Sequence, residues 1–448
     1  MGSAAARPGL ESQRQADATA ASPIGMPTDS AFLSALQPQR IQDRCDALCR
    51  LSEQQGGLTR VFLSAEQGEA NALVLAWMRE AGMAAGVDAI GNCAGRYEGM
   101  RPGLPCLMLG SHLDTVRDAG KYDGMLGVIA AIECVSALNA CGVRLPFAIE
   151  VVGFGDEEGV RFGSTLLGSR AVAGTFDRAV LDAVDTAGMT MRDALLGFGL
   201  DPEMIGAVAR RPADVLAYAE LHIEQGPVLE AEELPTGVVT AINGGNRFGI
   251  ELTGMAGHAG TVPMQLRRDA LAAAAECVLA VERIAAELPG IVGTVGRIEA
   301  LPGAMNVIPG KVRFSLDVRA PTDASRHAAV ATMRAACETI VQRRNITIAF
   351  SPLWEAGTAL CDPELQRQFA AAIAAEGGRV HHLPSGAGHD GMAIVAIAPI
   401  GMLFVRCAGG ISHNPAEAVA LADIAAGVRV LARFIAAFVP PAAATGTR

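Results

Sequence analysis

The stretch LPCLMLGSHLDTVRDAGKYDGMLGVIAAIECVSALNACGVRLPFAIEVVGFGDEE, residues 104–158, decides the architecture. Leu104–Gly110 is a short apolar run that ends in Ser111-His112. Gly124–Ala140 has no internal proline and predicts a helix. Pro146–Gly155 is a second apolar run and ends in Asp156-Glu157-Glu158. Strand, helix and strand at this spacing make a βαβ unit, which requires a parallel sheet. Both polar tips then fall at strand C-termini, where open α/β sheets bind their ligands.

Outward from this unit, Arg40–Leu51 and Ala65–Ala81 read as helices, and Val215–Leu221 reads as a third strand ending in His222. From Arg247 the pattern changes. Arg247–Thr253 reads as strand, Arg268–Leu288 as helix, Gly290–Ala300 and Lys311–Arg319 as strands, Asp323–Arg344 as helix and Ile346–Ser351 as strand. That βαββαβ order predicts a ferredoxin-like α+β layer inserted into the first domain. Pro363–Glu376 then reads as helix, Ile400–Cys407 as strand, and Asn414–Phe438 as mostly helix with a proline in its first turn. The expected division is a poorly ordered tail over 1–29, a metal-binding α/β domain over 30–246 and 354–440, and a lid or dimerisation domain over 247–353.

Bulk properties narrow the function. The 448 residues suit two domains, and 50% hydrophobic with 19% charged residues supports a sizeable core. A net charge of −11 without a basic run excludes nucleic acid and anionic membrane surfaces as expected partners. No apolar stretch reaches a membrane span, and the N-terminus lacks the pattern of a signal peptide. The ten cysteines are scattered with no C-x-x-C pair, which is reduced, cytoplasmic usage.

Five polar clusters carry the chemistry: Gly110–Asp114, Lys121–Gly124, Asp156–Gly159, His222–Gly226 and Gly410–Pro415. Together they supply three histidines and several carboxylates, a donor set for zinc, manganese, cobalt or nickel rather than calcium. Each piece alone matches an ordinary loop. Their repeated placement at strand ends is what points to one site. Cys407 follows a buried run with no accompanying His/Asn pair and is expected in the core. His327, His381 and His382 are expected at the surface.

The stretches GSHLDTVRDAGKYDGMLGV, GFGDEEGVRFGSTLLGSRAVAG, LHIEQGPVLE, GMAGHAGTVPM, NVIPGKVRFSLDVRAP, SGAGHDGMA and GGISHNPAE resemble the hydantoinase/carbamoylase branch of the M20 metallopeptidase family. The resemblance runs from about residue 40 to 435. It implies two divalent metal ions, zinc or manganese with cobalt or nickel as alternatives. Asp123 would bridge them, His112 and His222 would complete one, and Glu158 and His413 the other. Glu157 would be the general base, and Asp114 would orient His112. His258 would act in catalysis and substrate binding, beside Gln225, Asn306, Arg319 and Gly386 as substrate contacts. His389 and Asp390 would support the pocket without ligating metal. The implied reaction is hydrolysis of the ureido group of a small carboxylate, in a homodimer whose His258 enters the neighbouring site. Asp118–Asp123 and Phe404–His413 favour allantoate. An N-carbamoyl-L-amino acid or N-carbamoyl-β-alanine is the alternative. A catalytically silent scaffold conflicts with the presence of all five ligand-type residues and Glu157.

Overall fold

A computed structural model describes residues 29–441. The expected tail lies outside the described residues except for Asp29, which opens the helix Asp29–Ser34. Cys106–His112 and Ala148–Phe154 are strands, and Met125–Ala140 is the helix between them. Both strands are buried along their whole length, as expected of a parallel sheet covered on both faces. The helix Met125–Ala140 is apolar on nearly every side, because it lies between the sheet and the outer helices Pro38–Cys49 and Leu421–Ala437.

The large sheet is mixed. Its parallel heart runs in the order Ala148–Phe154, Cys106–His112, Val215–Ile223, Ile400–Val405. Cys93–Tyr97 joins one side antiparallel, with Ala84–Val87 beyond it. Thr236–Ile242 joins the other side antiparallel and also pairs with Ala359–Leu360 and His382–Ser385. Register aligns the functional tips: His112 stands opposite Phe154, and His222 opposite Phe404. Separate apolar cores fill the two faces, one around Leu107, Ile129 and Leu403, the other around Met108, Phe154 and Tyr218.

A second antiparallel sheet is ordered Ile298–Leu301, Lys311–Ala320, Gly244–Thr253, Thr347–Ala356, with Val292–Thr294 also on Lys311–Ala320. Helices Ala270–Glu287 and Asp323–Arg343 close over one face, around Leu252, Cys277, Phe314 and Met333. In chain order its first and last strands are Gly244–Thr253 and Thr347–Ala356, which begin before residue 247 and end after residue 353.

Three expectations are corrected. Gly290–Ala300 is not one strand. Thr294 faces Asp317 and Ile298 faces Phe314, so one extra residue is accommodated between them and the strand breaks in a bulge. Asn414–Phe438 is helical only from Leu421 to Ala437. Residues 414–420 form a turn over the site, in which Asn414 Oδ1 accepts from Ala416 N–H at 2.9 Å. Finally, the strand expected over Ile400–Cys407 ends at Val405.

Candidate active site and metal centre

Four sheet strands deliver the polar tips to one place. His112 is the last residue of its strand, and His222 the last but one. Asp123 and Gly124 stand at the start of the helix Met125–Ala140. Glu157 and Glu158 lie in the turn after Phe154, where Asp156 takes a left-handed φ of 58°. His413 lies in the loop after Ile400–Val405. Gly124 has φ 71°, and a Cβ there would lie 2.6 Å from the His112 ring, so only glycine lets strand tip and helix start meet.

Asp123 is the hub. Its Oδ1 lies 3.6 Å from His112 Nε2 and 3.2 Å from His222 Nε2. Its Oδ2 lies 3.2 Å from His413 Nε2, which is 3.4 Å from Glu158 Oε1. Two ligand-type sets result, His112–Asp123–His222 and Asp123–Glu158–His413, each with donor atoms within 4.8 Å of one another. His112 Nδ1 faces the Asp114 carbonyl at 3.0 Å, and His222 Nδ1 faces the Ile223 carbonyl at 2.9 Å. A proton on each Nδ1 satisfies those carbonyls and leaves the Nε2 lone pairs aimed at a carboxylate. Asp123 Oδ1 is buried and has no hydrogen-bond partner among the described residues. Lone pairs converging on an orphaned carboxylate oxygen repel one another until a cation lies among them. The donor set of imidazole and carboxylate suits a divalent transition metal.

Around this hub the backbone is tied down by carboxylates. Asp114 accepts from Glu157 N–H at 3.1 Å and from Glu158 N–H at 3.2 Å. Its Oδ1 is 3.8 Å from His112 Nδ1, beyond hydrogen-bond reach. Orientation of His112 therefore falls to the Asp114 backbone, while the side chain fixes the Glu157-Glu158 turn. Glu417 accepts from Tyr122 N–H at 2.8 Å, Asp123 N–H at 3.2 Å and Ser412 Oγ at 3.0 Å. It thus joins the Asp123 loop to the His413 loop. Neither Ser412 nor Glu417 was singled out from sequence, although both stand in the GGISHNPAE stretch. Burial pushes the Glu157 carboxyl well above the ordinary range. His112 opposes this, and the carboxylates of Glu158 and Asp390 add to it. Burial also pushes Glu158 up to about 7, an effect that a neighbouring cation would reverse.

The hub opens into a cavity of about 740 Å³ shared by the two sheets. Gln225 and Arg319 line it, and Gln225 Nε2 donates to Asp123 Oδ2 at 3.0 Å. Arg319 donates to Asp317 at 3.0 and 3.2 Å and to the Gly386 carbonyl at 2.7 Å. Those bonds use three of its five N–H groups and leave two for a ligand. His258 and Asn306 are not brought to this cavity. They sit side by side on the inserted layer, both exposed, with Ala259 N–H donating to the Asn306 carbonyl at 2.9 Å. His389 is buried against His222, with ring centroids 4.5 Å apart, and its Nε2 is 2.7 Å from Ser385 Oγ. His327 is exposed, as expected, and meets Glu355 at 2.9 Å. Cys407 is buried in the core, as expected.

A polar centre at the C-terminal ends of parallel strands, with paired ligand-type sets sharing one carboxylate, is a candidate divalent-metal site. Residues 108–437 match peptidase family M20/M25/M40, and the chain belongs to that family. It is 42% identical over 397 residues to an N-carbamoyl-L-amino acid amidohydrolase of Geobacillus stearothermophilus, covering 88% of this chain and 97% of that one. A probable allantoate deiminase of Oryza sativa subsp. japonica is 41% identical over 428 residues, 88% of this chain and 87% of its own. An amidase of the hydantoinase/carbamoylase family from Burkholderia multivorans superposes with a TM-score of 0.84 at 33% identity, covering 90% of this chain and 97% of that one. The protein is accordingly a hydrolase of the amidohydrolase kind. No helix among the described residues is long and apolar enough to cross a membrane.

Proposed function

We propose that this chain is a dinuclear-metal amidohydrolase that cleaves the ureido C–N bond of a small carboxylate substrate, with allantoate as the favoured substrate. The observation that carries this reading is the pair of ligand sets sharing Asp123, with Glu157 buried beside them. His112 and His222 would hold one ion, Glu158 and His413 the other, and Asp123 both. Two divalent cations there supply Lewis acidity toward a carbonyl oxygen and a water. That matters for a ureido carbonyl, which two nitrogens make a poor electrophile. Glu157 takes the proton from the attacking water and delivers it to the departing nitrogen. Its burial beside the two ligand sets places it for both transfers. Arg319, with its two remaining N–H groups, holds the substrate carboxylate beside Gln225 and the Gly386 loop.

The inserted layer is proposed as a ferredoxin-like lid that also dimerises. Exposed Met255, Met264, Leu266 and Met305 flank His258 and Asn306, an apolar surface suited to a second copy. His258 and Asn306 would then complete the neighbouring subunit's site. An N-carbamoyl-L-amino acid is the alternative substrate, supported by the Geobacillus relative at nearly the same identity as the rice one.

The test is a chelated protein reconstituted separately with zinc, manganese, cobalt and nickel. Each form is assayed on allantoate, several N-carbamoyl-L-amino acids and N-carbamoyl-β-alanine, with the organic product identified. Activity should vanish on chelation and return with metal. Full activity in metal-free protein, or no turnover of any ureido substrate with any metal, overturns the proposal.

A further inference from the structure

Three arginines line the cavity, and two of them are committed. Arg247 donates to Asp317 at 2.8 Å and lies over Trp354, 4.8 Å from its ring centroid, while Arg319 is clasped by Asp317 and the Gly386 carbonyl. The third, Arg170, is half-buried at the cavity wall, and among the described residues its guanidinium has no hydrogen bond, ion pair or ring contact. A guanidinium stays charged at any relevant pH, and withdrawing it from water without a partner costs free energy. We infer that Arg170 is a specificity-determining contact that takes an acceptor oxygen on the second arm of the substrate, the arm that carries neither the scissile ureido group nor the carboxylate held by Arg319. This inference rests on the ureido-carboxylate reading above and goes further by naming the chemistry of that arm.

The fold holds Arg170 in register with the reacting groups. Its helix, Leu167–Val172, is bonded to the turn that carries Glu157: Leu166 N–H donates to the Glu157 carbonyl at 3.2 Å, Leu167 N–H to Asp156 at 3.2 Å and Gly168 N–H to Gly155 at 2.9 Å. A Cβ on Gly168 would lie 2.1 Å from Asn92 Oδ1 and 2.7 Å from Gly155 N, so helix and turn pack backbone to backbone. Arg170 therefore moves with Glu157, whereas Arg319 belongs to the inserted sheet. A substrate spanning the two would be gripped at both ends as the reacting bond meets Glu157. A second unspent group, an acceptor, calls for a donor on the substrate, which a ureido arm carries and a carboxylate does not. Asn243 is only 7% exposed, also lines the cavity, and its side-chain oxygen has no partner among the described residues. An apolar arm would leave both groups desolvated and unpaired, which penalises such substrates.

Acceptor oxygens on the second arm arise in two ways, as a ureido carbonyl or as a side-chain carboxylate, and the experiment separates them. Wild type, Arg170→Met and Arg170→Lys are compared on allantoate, N-carbamoyl-L-aspartate and N-carbamoyl-L-leucine, with metal content measured throughout. Arg170→Met should lose about 10- to 100-fold in kcat/KM on at least one polar-arm substrate, as expected for loss of a charge-assisted hydrogen bond. Its kcat/KM on the leucine compound should equal wild type or exceed it by up to about 3-fold, because the unpaired guanidinium is gone, and Arg170→Lys should fall between. The substrate that suffers identifies the arm. An equal loss on all three, or none on any, overturns the inference while leaving the proposed reaction standing. Calorimetric binding of the same compounds to metal-loaded Glu157→Gln protein, with and without Arg170→Met, decides the matter independently of turnover. Unchanged affinity for both polar-arm compounds, or no binding of either, overturns it. Absence of turnover by wild type on every compound instead overturns the reaction assigned above.

Discussion

At the scale of single residues, adjacent Glu157 and Glu158 have different surroundings and should fail differently. Glu157 is buried beside His112, whereas Glu158 lies within reach of His413 and Asp123. Glu157→Gln keeps the shape and removes the basic site. It should lower kcat by about 10²-fold or more with metal occupancy near normal. Glu158→Gln should instead release metal, read by elemental analysis after dialysis. An exchange of the two phenotypes would reverse the assignment. Arg319 offers a second residue-scale test. Burial raises the Asp317 carboxyl, but bonds from Arg319 and Arg247 outweigh it and hold the group below its ordinary range. The clasp therefore persists at every pH above that depressed value and is lost only as pH falls through it. Arg319→Lys keeps the charge and loses the planar fork, so kcat/KM should fall about 10-fold or more across neutral pH with metal content unchanged. Wild-type kinetics would leave Arg319 as a partner of Asp317 alone.

At the scale of elements, the site depends on helices held to one another by buried polar ties. Glu133, fully buried in the helix Met125–Ala140, accepts from Arg40 Nε at 2.8 Å, Arg40 Nη2 at 2.9 Å and Gln37 N–H at 2.8 Å. These bonds pin the helix Pro38–Cys49 to the helix that begins next to Asp123. Arg40→Ala leaves a buried carboxylate short of partners. Because the Arg40 side chain is 32% exposed, water can partly compensate, and the cost should be about 2–3 kcal/mol in urea unfolding rather than the larger loss of a fully buried pair. If Arg40→Ala and Glu133→Ala prove additive in a double-mutant cycle, the tie carries no coupling. Elements also show where sequence patterns were legible. The helix Ala65–Glu80 matches its expected range to within a residue and is capped by Ser64, which accepts from Gln67 N–H. The start of the last helix differs. Asn414-Pro415 is a plausible helix opening by composition, but Glu417 is drawn to the Tyr122 and Asp123 amides, which keeps residues 414–420 out of a helix.

At the scale of the whole molecule, the proposed dimer makes a sharp prediction. Neither His258 nor Asn306 lines the cavity of its own chain. If a partner's His258 completes the site, mixing inactive Glu157→Gln chains with inactive His258→Ala chains gives dimers with one doubly damaged and one intact site. Activity should reappear on mixing. Mixed dimers that form and stay inactive would place His258 in its own subunit's chemistry or outside it. The sequence by itself determined the parallel βαβ heart, because apolar runs that end in His112 and in Glu157-Glu158 record both strand burial and strand polarity. Through its motifs it also pointed to Asp123, Glu158, His222 and His413, which the fold gathers from positions as much as 290 residues apart. Only the tertiary structure decided how those residues are supported. It put the Asp114 carboxylate on two backbone amides rather than on His112, Glu417 across two loops, and Arg170 at the cavity wall without a partner among the described residues. The reason is physical. Burial and strand direction recur as periodic patterns along a chain, whereas a hydrogen-bond partner is set by distances between segments that no local pattern encodes.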